Sequence, residues 1–140
     1  MGAEMAARAE PAARSAHFVV PIPTSSRNLR RRGYNQAAVI AAVLAEVLQI
    51  PYLACLERHR QVGTQTALNP MQRRANVSGA FVMVETVIPM ITGRRLMLVD
   101  DVITTGATIL AAVRALGPGC PESICAYAFS RTVPISLEST

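Results

Sequence analysis

Residues 96–108 read LMLVDDVITTGAT: an apolar run ends in two adjacent carboxylates and passes at once into a hydroxyl- and glycine-rich turn. Asp100 and Asp101 are also the only aspartates in the chain. The run Leu96 to Val99 is continuously apolar, the pattern of a strand covered on both faces in a parallel sheet. Two neighbouring carboxylates inside such a sheet would be prohibitive, so the strand is expected to end where they begin. Neighbours on a strand face opposite ways, so the two serve different contacts unless the chain turns there. TILAAVRAL (108–116) then reads as a helix, closed by Gly117 and Pro118.

The same alternation extends outward in both directions. HFVVPIP (17–23) is a short buried strand stopped by Pro21 and Pro23, and TSSRNLRRRGYN reads as a polar, basic loop. QAAVIAAVLAEVLQI (36–50) is a strong Ala- and Leu-rich helix ended by Pro51, and Asn35 is placed to cap it. YLACLE (52–57), GAFVMV (79–84), RRLMLVDD (94–101) and SICAYAFS (123–130) are further strands. Residues 58–77 form a long polar stretch, and long loops in compact domains are more often functional than idle. The expected fold is α/β, a mostly parallel sheet of about five strands with helices on both faces. The domain should span 17–131, between an N-terminal segment (1–16, disordered or helical) and a C-terminal tail (132–140).

Composition narrows the function. The net charge of +5 is carried entirely by Arg, because the chain has no Lys. The Arg cluster at 27, 30, 31 and 32, at 58 and 60, at 73 and 74, and at 94 and 95. Arg grips phosphate in bidentate geometry, so the clusters suit polyanionic ligands, and equally suit solvated loops. Cys55, Cys120 and Cys125 have no CxxC spacing, which favours a reducing cytosol over disulfides or a zinc site. The first 16 residues are broken by Glu4, Arg8, Glu10 and Arg14, unlike a secretory signal. No apolar run approaches the ~18 residues of a membrane span. A soluble, cytoplasmic protein is expected.

In parallel sheets ligands bind beyond the carboxyl ends of the strands, where Asp100 and Asp101 stand. The first turn of the helix at 108 leaves backbone N–H groups unpaired at the positive end of the macrodipole. Gly106 lets the backbone approach closely, while Thr104, Thr105 and Thr108 add hydroxyls, so the turn makes a phosphate cradle. Carboxylates beside it suit a ligand with hydroxyls and a divalent cation, such as a phosphorylated sugar. Neither GxxxxGK[ST] nor GxGxxG is present. The plainer reading is a capped helix beside a solvated Asp pair.

LMLVDDVITTGAT resembles the phosphoribosyl-pyrophosphate (PRPP) motif of type I phosphoribosyltransferases. VVPIPTSSRNLRRRGYNQA and RHRQVGTQTALNPMQRRANVSGAF are similar to the ComF/GntX, competence-protein-like branch, and the resemblance runs from about residue 18 to about 131. It implies that Asp100 and Asp101 hold the ribose hydroxyls and the Mg²⁺ environment, through water or substrate. It implies further that Thr104, Thr105, Gly106, Ala107 and Thr108 wrap the 5′-phosphate. Pro23, Thr24, Ser25 and Arg27 correspond to the loop receiving pyrophosphate, although Pro23 alone reads better as an ordinary strand-ending turn residue. The stretch Arg58 to Asn76 corresponds to a flexible loop that closes over PRPP and excludes water. Within it Arg58 and Arg60 are candidates for offsetting charge on departing pyrophosphate, with Gln65 a weaker one. Arg73 and Asn76 fit loop folding as well as catalysis, and His17 and His59 read as structural or surface residues. Members of the branch usually begin with a cysteine-rich, zinc-finger-like segment that this chain lacks, so its partner or DNA contacts are not carried over.

The implied activity is Mg²⁺-dependent transfer of 5-phosphoribosyl to a nitrogen acceptor whose identity the sequence does not disclose. The rival is an accessory protein of DNA uptake that binds single-stranded DNA or competence-machinery partners without turnover. Against it, six Phe and Tyr are spread through the chain rather than forming a stacking platform. A homodimer is a further partner expectation.

Overall fold

The computed structural model describes residues 15–24, 26–58, 80–102, 106–128 and 135–138, with the side chains of 26–28 and 135–138 left aside. Strand β1 (Phe18–Pro21) leads through helix α1 (Ser26–Arg32) to helix α2 (Gln36–Leu48). Strands β2 (Leu56–Arg58) and β3 (Phe81–Met83) come next, then the short helix α3 (Ile88–Ile91). Strand β4 (Arg95–Asp100), helix α4 (Ala107–Leu116) and strands β5 (Ser123–Ala128) and β6 (Ile135–Glu138) complete the order.

The main sheet runs β1-β4-β5-β6, with β1, β4 and β5 parallel and β6 antiparallel to β5. Beyond β1 a parallel bridge between Val19 and Tyr52 adds an edge rung. Its faces divide by the period-2 rule. Val19, Met97, Val99, Cys125 and Tyr127 pack under Ile40, Ala41, Leu44 and Ala45 of α2. Val20, Leu96, Leu98, Ile124 and Ala126 face Ile109, Ala112 and Leu116 of α4, together with Leu56, Phe81 and Met83. Both faces are covered, as the apolar runs require, and the fold is the expected mostly parallel α/β sheet with helices on each side. Among the described residues no helix is long and apolar enough to cross a membrane.

Helix α2 shows how sequence sets an element. Its buried positions Ala37, Ile40, Ala41, Leu44 and Ala45 fall on one face at 3–4-residue spacing. Asn35 caps it: the side-chain oxygen accepts from the Ala37 N–H at 3.1 Å, while the side-chain amide donates to the Ile22 carbonyl at 3.4 Å. The cap thus ties the helix to the end of β1. Gln49, left-handed at φ 56°, stops it.

Several elements depart from the sequence reading. The basic stretch read as a loop contains α1, because Leu and Arg are good helix formers whatever their charge. YLACLE divides at Cys55, whose N–H donates to the Leu53 carbonyl at 3.1 Å. Tyr52 touches the main sheet, whereas β2 pairs antiparallel with β3 as a separate ribbon. The turn at Gly117 and Pro118 does not stop the helix with a left-handed glycine. Gly117 stays right-handed at φ −52°, a short 3₁₀ turn follows, and Cys120 at φ 52° makes the reversal. SICAYAFS is not the last strand, since 135–138 from the expected tail add β6.

Gly119 marks a close approach. A Cβ there would press into the side chain of fully buried Ile91, 2.8 Å from its Cγ1. Gly119→Ala is expected to lower stability by about 1–3 kcal/mol in urea denaturation. Because Gly119 is remote from the cavity described below, ligand affinity should not change.

Candidate active site

Parallel register brings the carboxyl ends of β1 and β4 side by side. Pro21 pairs with Val99, and the Ile22 N–H donates to the Val99 carbonyl at 2.9 Å. Beyond these ends lies a cavity of about 160 Å³, lined by Ile22, Pro23, Thr24, Asn35, Ala37, Arg58, Asp100, Asp101, Val102 and Thr108. Of the expected site residues, the structure therefore gathers Pro23, Thr24, Arg58, Asp100, Asp101 and Thr108 around one space. Ser25, Arg60, Thr104 and Thr105 lie outside the described residues, as do Gln65, Arg73 and Asn76 and most of the expected closing loop. The backbone of Arg27 belongs to α1.

The two carboxylates differ in role. Asp100 is the last residue of β4, and its Oδ1 accepts from the Asp101 N–H at 2.8 Å. Asp101 turns out of the strand: its Oδ1 accepts from the Val102 N–H at 2.9 Å and its Oδ2 from Arg32 Nη1 at 3.1 Å. Burial, with the neighbouring Asp101, pushes the Asp100 carboxyl up to about 7, and the charge of Arg58 holds it back. Arg58 enters from the ribbon, at the end of β2, with its guanidinium over the Phe81 ring, 5.1 Å from the centroid. Desolvation lowers its proton affinity while Asp100 supports the cation. Arg32 thus pairs with Asp101, while the charge of Arg58 acts on Asp100.

Helix α4 begins at the same end of the sheet. Gly106 occupies its N-cap at φ 83° and ψ −1°, a conformation natural to glycine, and supplies no side-chain oxygen to the first turn. Ala107 and Thr108 open that turn. An anion can approach here along the helix axis, with the dipole contributing ~0.3–2 kcal/mol. Among the described residues no group of three or more His, Cys, Asp or Glu is built to hold a metal.

Sequence reasoning did not single out Arg32 and Asn35 as members of this site. Arg32 was one of three adjacent arginines with nothing to distinguish it, and its partner lies 69 residues away. His17 proves structural, its Nδ1 accepting from the Arg95 N–H at 2.9 Å at the far end of β4.

Comparison with known proteins gives a consistent picture. The Phosphoribosyl transferase domain family matches residues 29–132. Competence protein F of Haemophilus influenzae is 38% identical over 94 residues, covering 65% of this chain and 40% of the relative. DNA utilization protein YhgH of Escherichia coli (strain K12) is 28% identical over 116 residues, covering 82% of this chain and 49% of the relative. The chain therefore spans about half or less of these relatives. Among solved structures, glutamine phosphoribosylpyrophosphate (PRPP) amidotransferase from B. subtilis, complexed with ADP and GMP, superposes with a TM-score of 0.60 at 25% identity. That match covers 89% of this chain and 24% of the enzyme. An allosteric regulatory enzyme of purine biosynthesis also gives 0.60, at 26% identity over 91% of this chain and 24% of that one.

Proposed function

Because this chain belongs to the phosphoribosyl transferase domain family, we propose that it is a PRPP-binding phosphoribosyltransferase: with Mg²⁺, it transfers 5-phosphoribosyl to a nitrogen acceptor and releases pyrophosphate. The observation that carries this reading is the convergence of Asp100, Asp101, Arg58, Thr24 and the start of α4 on one cavity. An acidic pair between guanidiniums and a helix N-terminus suits a ligand with hydroxyls in its middle and phosphates at both ends.

In this proposal the turn from Thr104 to Thr108 receives the 5′-phosphate, and Asp100 and Asp101 accept hydrogen bonds from the ribose hydroxyls. Pro23, Thr24, Ser25 and Arg27 receive pyrophosphate. The two carboxylates fit Mg²⁺, which takes oxygen ligands and is commonly held by one or two carboxylates plus substrate phosphates and water. Bound there, the ion would offset charge on the pyrophosphate. As the C1–O bond breaks, positive charge develops on the ribose and negative charge on the leaving pyrophosphate. Arg58 and Arg60 stabilise the latter, and the acceptor nitrogen attacks from the opposite ribose face. Positioning and electrostatics do the work, with no covalent intermediate on the protein.

A second reading rests on the names of the relatives, which concern competence and DNA utilization. In it the domain is an accessory protein of DNA uptake, with exposed Arg30 and Arg31 on α1 facing single-stranded DNA or a protein partner. A cytosolic site of action is common to both readings and agrees with the free thiols of Cys55, Cys120 and Cys125.

Calorimetric titration with PRPP and Mg²⁺ should give saturable binding. A screen of nucleobases and amines should then find an acceptor that releases pyrophosphate. Absence of PRPP binding overturns the proposal. PRPP binding without turnover, joined to salt-sensitive DNA binding, favours the second reading.

A further inference from the structure

Arg58 and Phe81 stand directly opposite each other in the β2–β3 ribbon, and the same two residues form a cation–π pair. Phe81 is 5% exposed, and it packs with Leu56, Met83 and Ile109 in the core beneath the sheet. An ordinary core phenylalanine gives its surface to apolar neighbours. Phe81 instead gives a ring face to the guanidinium of Arg58, a residue that lines the cavity and feels the charge of Asp100.

The placement has a physical consequence. A long Arg side chain at the end of a three-residue strand would otherwise sample many rotamers, and fixing it would cost entropy each time a ligand bound. A ring below the guanidinium removes much of that freedom in advance, and leaves the donor edge of the planar group to a ligand. Directly cross-strand pairing fixes the ring relative to the Arg58 backbone.

Resting on the phosphoribosyltransferase reading, we propose that Phe81 is a positioning residue: its ring holds the Arg58 guanidinium at the cavity mouth beside Asp100, preset for the pyrophosphate end of the ligand. Phe81 does not touch the ligand and acts only through Arg58. The proposal separates the two anionic ends of the ligand, because the phosphate cradle at Gly106 belongs to a different element and does not use Phe81.

The test is a double-mutant cycle in the full chain, read by calorimetric affinity for Mg²⁺–pyrophosphate and for inorganic phosphate. Phe81→Leu should weaken pyrophosphate about three- to tenfold, the range of a partly desolvated cation–π contact, and leave inorganic phosphate unchanged. Arg58→Gln should weaken pyrophosphate at least as much. In the Arg58→Gln background Phe81→Leu should have no further effect on affinity, although it still lowers the melting temperature. Phe81→Tyr, which keeps the ring, should restore most of the affinity. A purely structural Phe81 would give equal losses in both backgrounds, or lower affinity for both anions, and either result overturns the proposal. If Arg58→Gln weakens pyrophosphate while Phe81→Leu does not, this inference alone fails. If wild type ignores pyrophosphate and PRPP alike, or Arg58→Gln binds like wild type, the reading of the site falls and takes the inference with it.

Discussion

Asp100→Asn combined with Asp101→Asn will reduce Mg²⁺–PRPP affinity at least about a hundredfold, the loss expected when two hydrogen bonds to charged acceptors disappear. Inorganic phosphate will bind the same variant at least as well as wild type, because removing the negative charge of the pair beside the cradle strengthens its positive field. Competition between the two ligands separates these effects. Equal weakening of both would mean that the pair only shapes the loop, and no change in either would place it outside the site.

The variant should be no less stable than wild type near neutral pH. Burial raises the Asp100 carboxyl from its ordinary 3.8 to about 7, so between these values the folded protein holds a proton that the unfolded chain releases. Stability contributed by this group is therefore greatest below about pH 4 and declines as pH rises toward 7. Asp100→Asn removes that decline, with a gain at pH 7 of roughly 1–2 kcal/mol once solvent screening is allowed for. Loss of the Arg32–Asp101 ion pair offsets little, because that pair is partly exposed on both sides. Melting curves from pH 4.5 to 7.5 for wild type and Asp100→Asn should converge at the acid end and separate at the neutral end.

The second large effect is at Gly106. Its φ of 83° strains a β-branched residue by roughly 1–2 kcal/mol, so Gly106→Val should unfold at lower denaturant. The larger change is in ligand affinity. Among the described residues, its chain neighbours aside, a Cβ at 106 meets no atom within 4 Å at the start of α4. There it would crowd an anion approaching the first turn, and we expect PRPP affinity to fall at least about thirtyfold as the cradle's hydrogen bonds are lost. Gly106→Asn distinguishes crowding from strain, since Asn tolerates the left-handed region better than Val. It should recover most of the stability and little of the affinity. Unchanged PRPP affinity in either folded variant would remove the turn from the site.

How far the sequence discloses this molecule depends on how local each signal is. LMLV reveals β4 because both faces of that strand are buried, and the following Asp pair marks its end without any other part of the chain. The cap at Asn35 and the turn at Gly106 are legible for the same reason, as each is defined by its immediate neighbours. Helix α1 is hidden under its charge: Ser, Asn and four Arg suggest a loop, and only Leu29 hints otherwise. YLACLE is apolar enough for a strand but says nothing about which strand it pairs with. Its division between two sheets follows from a turn at Cys55 that the composition does not advertise. The acidic pair and its surrounding hydroxyls are visible in one segment, whereas Arg32 and the ring beneath Arg58 join the site only through contacts between distant segments.

The parallel pairing of β1 with β4 joins Phe18 to Leu96, across more than half of the chain. Such closures form late, because the entropy of a long intervening chain must be lost before the contact rewards it. Before it closes, β1 is an unpaired apolar strand, a hazard for self-association during refolding. The ligand cavity is bounded by the ends of these same two strands, so a chain that has not made the closure has no cavity. Any small molecule that occupies the site therefore selects fully folded chains, and including it during refolding should raise the yield of monodisperse protein by mass action.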